Sequence, residues 1–253
     1  MNSTQECALV TGASSDVGAE IALSLAAEGY SLWLSYFTAE QRVHALARQC
    51  VELGAEVHVS RLNLRDPESI CALTQEIRDH WGRLDVLVNN AAASAFSSAE
   101  DLVVDEWDDL FETNARGTFL LTRSVLPLLR VPGGARDDRS VINIAAISGQ
   151  VGALQAGMHY AASKAAVLAI SRSFARLLAG EGIRVNAVSP GPLETGMVAH
   201  VPAERKRVLG EALPVGRFGT PREVAWVVTM LASSRASFVT GATYDVNGGA
   251  RID

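Results

Sequence analysis

Short runs of β-branched and apolar residues alternate along the chain with longer stretches in which apolar positions recur every three or four residues. The short runs read as strands over Cys7–Val10, Leu32–Tyr36, Glu56–Ser60, Leu84–Asn89, Ser140–Ile144, Ile183–Val188 and Ala242–Val246. The longer stretches read as helices over Gly18–Glu28, Ala39–Leu53, Pro67–Trp81, Val104–Leu129, Met158–Ala179, Glu204–Leu209 and Arg222–Ala232. Parallel neighbours need a long crossover, and a helix between successive strands supplies one. Several strands, such as the run from Leu84 to Val88, are apolar almost throughout, as a sheet covered on both faces requires. The expectation is an α/β protein: one doubly wound, Rossmann-type domain over residues 1–253, with a parallel sheet of about seven strands and helices on both faces. The Gly- and charge-rich stretch from Val131 to Ser140 reads as a surface loop.

Composition narrows the partners. With 22 Lys+Arg against 28 Asp+Glu the formal net charge is −6, and no basic run is present, which argues against nucleic acid. Cys7, Cys50 and Cys71 are scattered singly, and His44, His58, His80, His159 and His200 form no i, i+4 pair, so no metal centre is expected. The first six residues carry no apolar signal core, and no apolar run reaches membrane-spanning length. A cytoplasmic protein without membrane contact is the expectation.

Two places carry chemistry. The first is the turn after the first strand. Gly12 permits a tight bend, and Gly18 lets the following helix approach the sheet. Ser14, Ser15, Asp16 and Val17 lie between them, where helix-start amides can bind a pyrophosphate. Asp16 stands near the middle glycine of the usual dinucleotide fingerprint. A carboxylate there repels phosphate unless it turns back to cap the helix, and Asp16 is read as that cap. The second place is Tyr160 and Lys164, four apart on one helix face. A neighbouring ammonium favours the phenolate and lowers the tyrosine pKa, which makes the hydroxyl usable as a general acid or base. The helix around them is otherwise small and apolar, so a charged lysine in it calls for a function.

The segments Thr11–Gly18, Asn89–Ala92, Thr113–Phe119, Tyr160–Lys164, Arg184–Thr195 and Val246–Gly249, taken together and in this order, resemble the short-chain dehydrogenase/reductase superfamily over nearly the whole chain. The stretch from Leu213 to Gly249 is most like the 3-oxoacyl-[acyl-carrier-protein] reductase group. The resemblance implies that Tyr160 is the proton donor, that Lys164 also bonds a cofactor ribose, and that Asn114 holds a relay water beside the lysine. It implies cofactor contacts from Asn63 and Leu64 after the third strand, from Asn90 and Ala91, and from Pro190, Gly191, Leu193 and Thr195 around the nicotinamide. Residues 193–215 are implied to form a lid, Ala93–Phe96 and Gln150–Leu154 to line the substrate pocket, and the protein to be a homotetramer or dimer.

Three departures matter. Ala92 replaces a usual glycine. Tyr36 stands at the end of the second strand where NAD-specific members carry an acid. The positions that usually supply a cation for a 2′-phosphate hold Ser15 and Phe37, leaving Arg42 and Thr38 nearby; NADP(H) is favoured over NAD(H). Ala146 occupies the position of the family serine that polarises the substrate carbonyl, and either Ser148 substitutes or the group is absent. The expected activity is reduction of a ketone, such as a 3-oxoacyl thioester or polyketide-like intermediate, by NADPH. A non-redox biosynthetic enzyme on the same fold and a cofactor-sensing binding protein are the alternatives.

Overall fold

A computed structural model describes residues 5–132, 138–153, 157–199 and 201–252, with the side chain of Met197 left out. The strands are β1 (Cys7–Val10), β2 (Ser31–Tyr36), β3 (Val57–Arg61), β4 (Val86–Asn89), β5 (Arg139–Ile144), β6 (Ile183–Pro190) and β7 (Thr243–Val246). All pair in parallel in one sheet of order β3-β2-β1-β4-β5-β6-β7. The helices are α1 (Asp16–Ala27), α2 (Glu40–Glu52), α3 (Pro67–His80), α4 (Val104–Phe111), α5 (Gly117–Leu129), α6 (Ser148–Val151), α7 (Met158–Leu178), α8 (Ala203–Glu211) and α9 (Pro221–Ala232). The doubly wound parallel sheet expected from the hydrophobic pattern is present. Residues 133–137 of the expected surface loop, and Leu154 and His200, lie outside the described residues.

The continuous apolar strands feed two cores. Ala8, Val10, Leu32, Leu34, Val86, Val88, Ile142 and Ile144 face α1, α2 and α9, where Ile21, Leu25, Val43, Leu46, Val224 and Val228 meet them. Their sequence neighbours Leu9, Trp33, Leu87 and Val141 point the other way, onto Leu73 and Ile77 of α3, Leu121 and Val125 of α5, and Phe174 of α7. Side chains alternate across a strand, so a strand buried on both faces has no polar phase. Each fully buried aliphatic side chain contributes about 1.5–3 kcal/mol from removal of apolar surface from water.

Two local features depart from the expected elements. The stretch read as one helix over Val104–Leu129 is broken by a π-helical segment, Glu112–Arg116, between α4 and α5. The four-residue α6 follows β5, too short to leave a periodic signal. Successive connections run β1-β2-β3 toward one edge and β4-β5-β6-β7 toward the other, so the strand order reverses between β1 and β4. Open α/β sheets bind ligands outside the carboxyl ends of their strands at such a reversal.

Candidate active site

The turn from β1 to α1 opens onto this reversal. Gly12 has φ +62°, and a Cβ there would lie 2.7 Å from Ala91 Cα; a Cβ on Gly18 would lie 2.3 Å from the Gly12 carbonyl. Both positions require glycine for space, and Gly12 also for its backbone angle. Asn90 braces the turn: its Nδ2 donates to the carbonyls of Thr11 (2.9 Å) and Gly12 (3.0 Å) and to Ser15 Oγ (3.2 Å). Ser15, not Asp16, caps the helix, its Oγ accepting the Gly18 amide at 3.0 Å. Among the described residues the amides of Ser14, Asp16 and Val17 donate to nothing. Three free amides at the start of a twelve-residue helix fit a pyrophosphate.

The cap expected of Asp16 is corrected by its long-range partners. Its carboxylate accepts the Gly196 amide and pairs with Arg42 of α2. The Gly196 amide, opposed by some desolvation and assisted by Arg42, holds its pKa below the usual carboxylate value. Ser15 precedes the helix by one residue and has the extended backbone a cap needs, so it takes the amide first.

Tyr160 and Lys164 sit in the first two turns of α7, above the end of β5. Lys164 is buried, and its Nζ donates to the Ile144 carbonyl at 2.7 Å, while lying 5.9 Å from the centre of the Tyr160 ring. Burial pushes the lysine down to about 8 and the tyrosine phenol up to about 12. The expected lowering of the tyrosine by its lysine is therefore reversed in the free protein: desolvation outweighs an ammonium engaged elsewhere. Asn114, buried in the π-helical segment, acts as a clamp. Its side chain accepts from the Ala93 amide (2.8 Å) and donates to the Ala93 carbonyl (2.9 Å) and to Ser163 Oγ (3.0 Å). It thereby fixes the segment after β4 against α7. π-Helical turns are rare and concentrate at functional sites.

Ala146 and Ser148 are both buried in the turn that enters α6. A Cβ on Gly149 would lie 2.7 Å from the carbonyl carbon of Lys164, so α6 rests directly on the backbone of α7 at the lysine. Among the described residues the Ser148 hydroxyl has no hydrogen-bond partner. Gln150, expected to line the substrate pocket, bridges Ser189 Oγ (2.6 Å) and Asp245 Oδ1 (2.9 Å) at the ends of β6 and β7.

The remaining candidates form the rim. Pro190 ends β6 and its carbonyl accepts the Ile147 amide; Gly191 packs against Asn247, and Leu193 bridges to Gly219. Thr195 precedes the one-turn 3-10 helix Gly196–Val198. On the other flank, Asn63 Oδ1 accepts the Arg65 amide, and the Leu64 side chain turns into the core beneath Gly117. Tyr36 pairs in register with Arg61 of β3. Sequence reading missed Arg61: its Nε donates to the Phe37 carbonyl at 3.1 Å and its guanidinium lies over the Phe37 ring. His159 does not line the cleft; it is fully buried, with Nε2 2.8 Å from Glu106 Oε1 of α4.

Comparison with known proteins agrees with this geometry. The family model described as enoyl-(acyl carrier protein) reductase matches residues 12–251. The chain is 36% identical over 243 residues to a 3-oxoacyl-[acyl-carrier-protein] reductase of Staphylococcus aureus, covering 96% of both chains. It is 36% identical over 250 residues to the enzyme of that name from Escherichia coli, covering 98% of both. The solved Pseudomonas aeruginosa RhlG/NADP active-site complex superposes with a TM-score of 0.91 at 30% identity, over 97% of this chain and 96% of that one. With a glycine turn of free helix-start amides, a tyrosine–lysine pair and this likeness over nearly its full length, the chain belongs to the short-chain dehydrogenase/reductase family and is an NAD(P)-dependent oxidoreductase.

Proposed function

We propose that the protein reduces a ketone, of the 3-oxoacyl thioester or polyketide-like class, with NADPH as reductant and Tyr160 as proton donor. The observation that carries this reading is the buried Lys164 beside Tyr160, on a helix that overlies the sheet's carboxyl edge. When bound, the reduced nicotinamide supplies a hydride to the carbonyl carbon. Tyr160 gives its proton to the carbonyl oxygen; its raised pKa keeps that proton in place until the substrate arrives. Lys164 balances the phenolate left behind, and Asn114 anchors the water that returns a proton. The free hydroxyl of Ser148 takes the carbonyl-holding role that Ala146 lacks. Arg61 and Arg42 supply the positive charge that a 2′-phosphate needs beside Tyr36. Residues 193–215 act as the lid, drawn toward the cofactor turn by Asp16 and held by the Lys206–Glu194 pair at 3.6 Å. Exposed Val104, Phe119 and Leu177 on α4, α5 and α7 support a homo-oligomer.

The test is NADPH oxidation followed with a panel of 3-oxoacyl thioesters and simple ketones. Turnover in the wild type, lost in Tyr160→Phe with cofactor affinity retained, supports the reading; cofactor binding without oxidation across the panel overturns it. Ala146 favours one second reading, a non-redox biosynthetic enzyme, which would form product without consuming cofactor.

A further inference from the structure

At the opposite end of β3 from the cofactor rim, the fold brings a distant histidine onto two side chains that lie two apart in sequence. Glu56 and His58 flank Val57 at the start of β3, and His80 is the last residue of α3. Residues two apart share one strand face, and here the helix end packs against that face. Nε2 of His58 lies 2.8 Å and Nε2 of His80 2.9 Å from the same oxygen, Oε1 of Glu56. The three prospective donor atoms all lie within 4.8 Å of one another.

We propose that Glu56, His58 and His80 form a binding site for a divalent transition-metal ion, zinc foremost. Two imidazoles and one carboxylate are a borderline-soft donor set, which selects zinc, copper, nickel or cobalt over magnesium or calcium. Tetrahedral zinc with bonds of about 2.0–2.1 Å sets its donors roughly 3.3 Å apart. The two nitrogen–oxygen separations of 2.8 and 2.9 Å open by about half an ångström to reach that spacing, while the two imidazole nitrogens, within 4.8 Å of each other, close toward it. Three protein donors leave the fourth position to water.

The surroundings hold the donors ready. Trp33 stacks on the His58 ring at 4.8 Å with 23° between planes, and Trp81 meets both imidazoles edge-on. The Trp81 indole also donates to Glu56 Oε1 at 3.3 Å, orienting the carboxylate from outside the donor set. The side chains of His58, His80 and Glu56 remain 29%, 35% and 47% exposed, so an ion can enter from solvent. Because β3 is an edge strand of the sheet, a bound ion staples that edge to α3.

The full chain, stripped with a chelator and dialysed, is titrated with zinc chloride by calorimetry, and with cupric ion while tryptophan fluorescence is read. The expected result is one ion per chain, quenching of the emission from Trp33 and Trp81, and a higher melting temperature with zinc. His80→Ala should weaken binding at least about tenfold and remove the thermal shift. Glu56→Gln, which preserves size and leaves both imidazoles in place, should weaken it similarly and serves if a histidine variant melts early. Absence of saturable zinc uptake by the wild type, or uptake unchanged in His80→Ala and Glu56→Gln, overturns the proposal.

Discussion

The carboxylate of Asp16 accepts the backbone amide of Gly196 at 2.6 Å, across 180 positions of sequence. The same group pairs with Arg42 on α2. One side chain thus ties the β1–α1 turn, the segment proposed as the lid and α2. Asp16→Ala is expected to speed proteolysis within residues 193–215 of the free protein. It should also tighten cofactor binding about five-fold, as relief of roughly 1 kcal/mol of repulsion would give. Limited digestion and a cofactor titration check the two effects, and unchanged digestion would dismiss the tether.

Arg61 should govern the choice between cofactors. Its guanidinium has no carboxylate partner among the described residues and lies beside the end of β2. Losing one charge-assisted contact to a phosphate costs about 1.5–3 kcal/mol. Arg61→Ala is accordingly expected to weaken NADPH binding about ten- to a hundred-fold and to leave NADH within about two-fold. Equal losses for both cofactors would place Arg61 outside phosphate recognition.

Ser148 and Ala146 separate by exchange. Ser148→Ala should lower kcat by about 10²–10³, the usual effect of removing a donor to a developing oxyanion. Ala146→Ser in that background should restore part of the rate. An unchanged kcat in Ser148→Ala would show that neither residue polarises the carbonyl.

The buried lysine makes stability depend on pH. Lys164 is held down to about 8 from an ordinary value of 10.5. Below about 8 it is protonated in both states and the whole cost of burying its charge is present. Above that the folded protein releases the proton while the unfolded chain keeps it, so stability rises with pH until the unfolded value is passed. Tyr160, raised from 10.0 to about 12, acts in the opposite sense from pH 10 upward. Lys164→Met should therefore melt above the wild type at pH 7, with the gap shrinking from pH 8 to 10. A gap independent of pH in thermal melts would refute the linkage.

The sheet, its helices and the tyrosine–lysine pair were legible because each rests on local periodicity or short spacing. The misreadings arose where a distant residue decides the outcome. Cap preference suits Ser15 and Asp16 alike, and the amide that takes up Asp16 comes from a loop after β6. Arg61 gains meaning only from the β2–β3 register. The Tyr160 pKa was read from its neighbour's charge, whereas burial decides it, and the neighbouring ammonium is engaged by the Ile144 carbonyl. His58 and His80 are separated by most of α3, a distance at which spacing rules for metal ligands say nothing.

The π-helical segment limits which lengths of chain this protein can tolerate. It accommodates one more residue than an α-helical turn would, and each residue of an α-helix turns the direction of its side chains by about 100°. Removing any one residue from Glu112–Arg116 would let α4 and α5 run on as a straight rod, swinging Asn114 away from Ala93 and Ser163 or α5 away from α3. Single-residue deletions here should thus be far more harmful than a substitution of the exposed Arg116, and library design or homologue recombination should keep the segment intact as a unit.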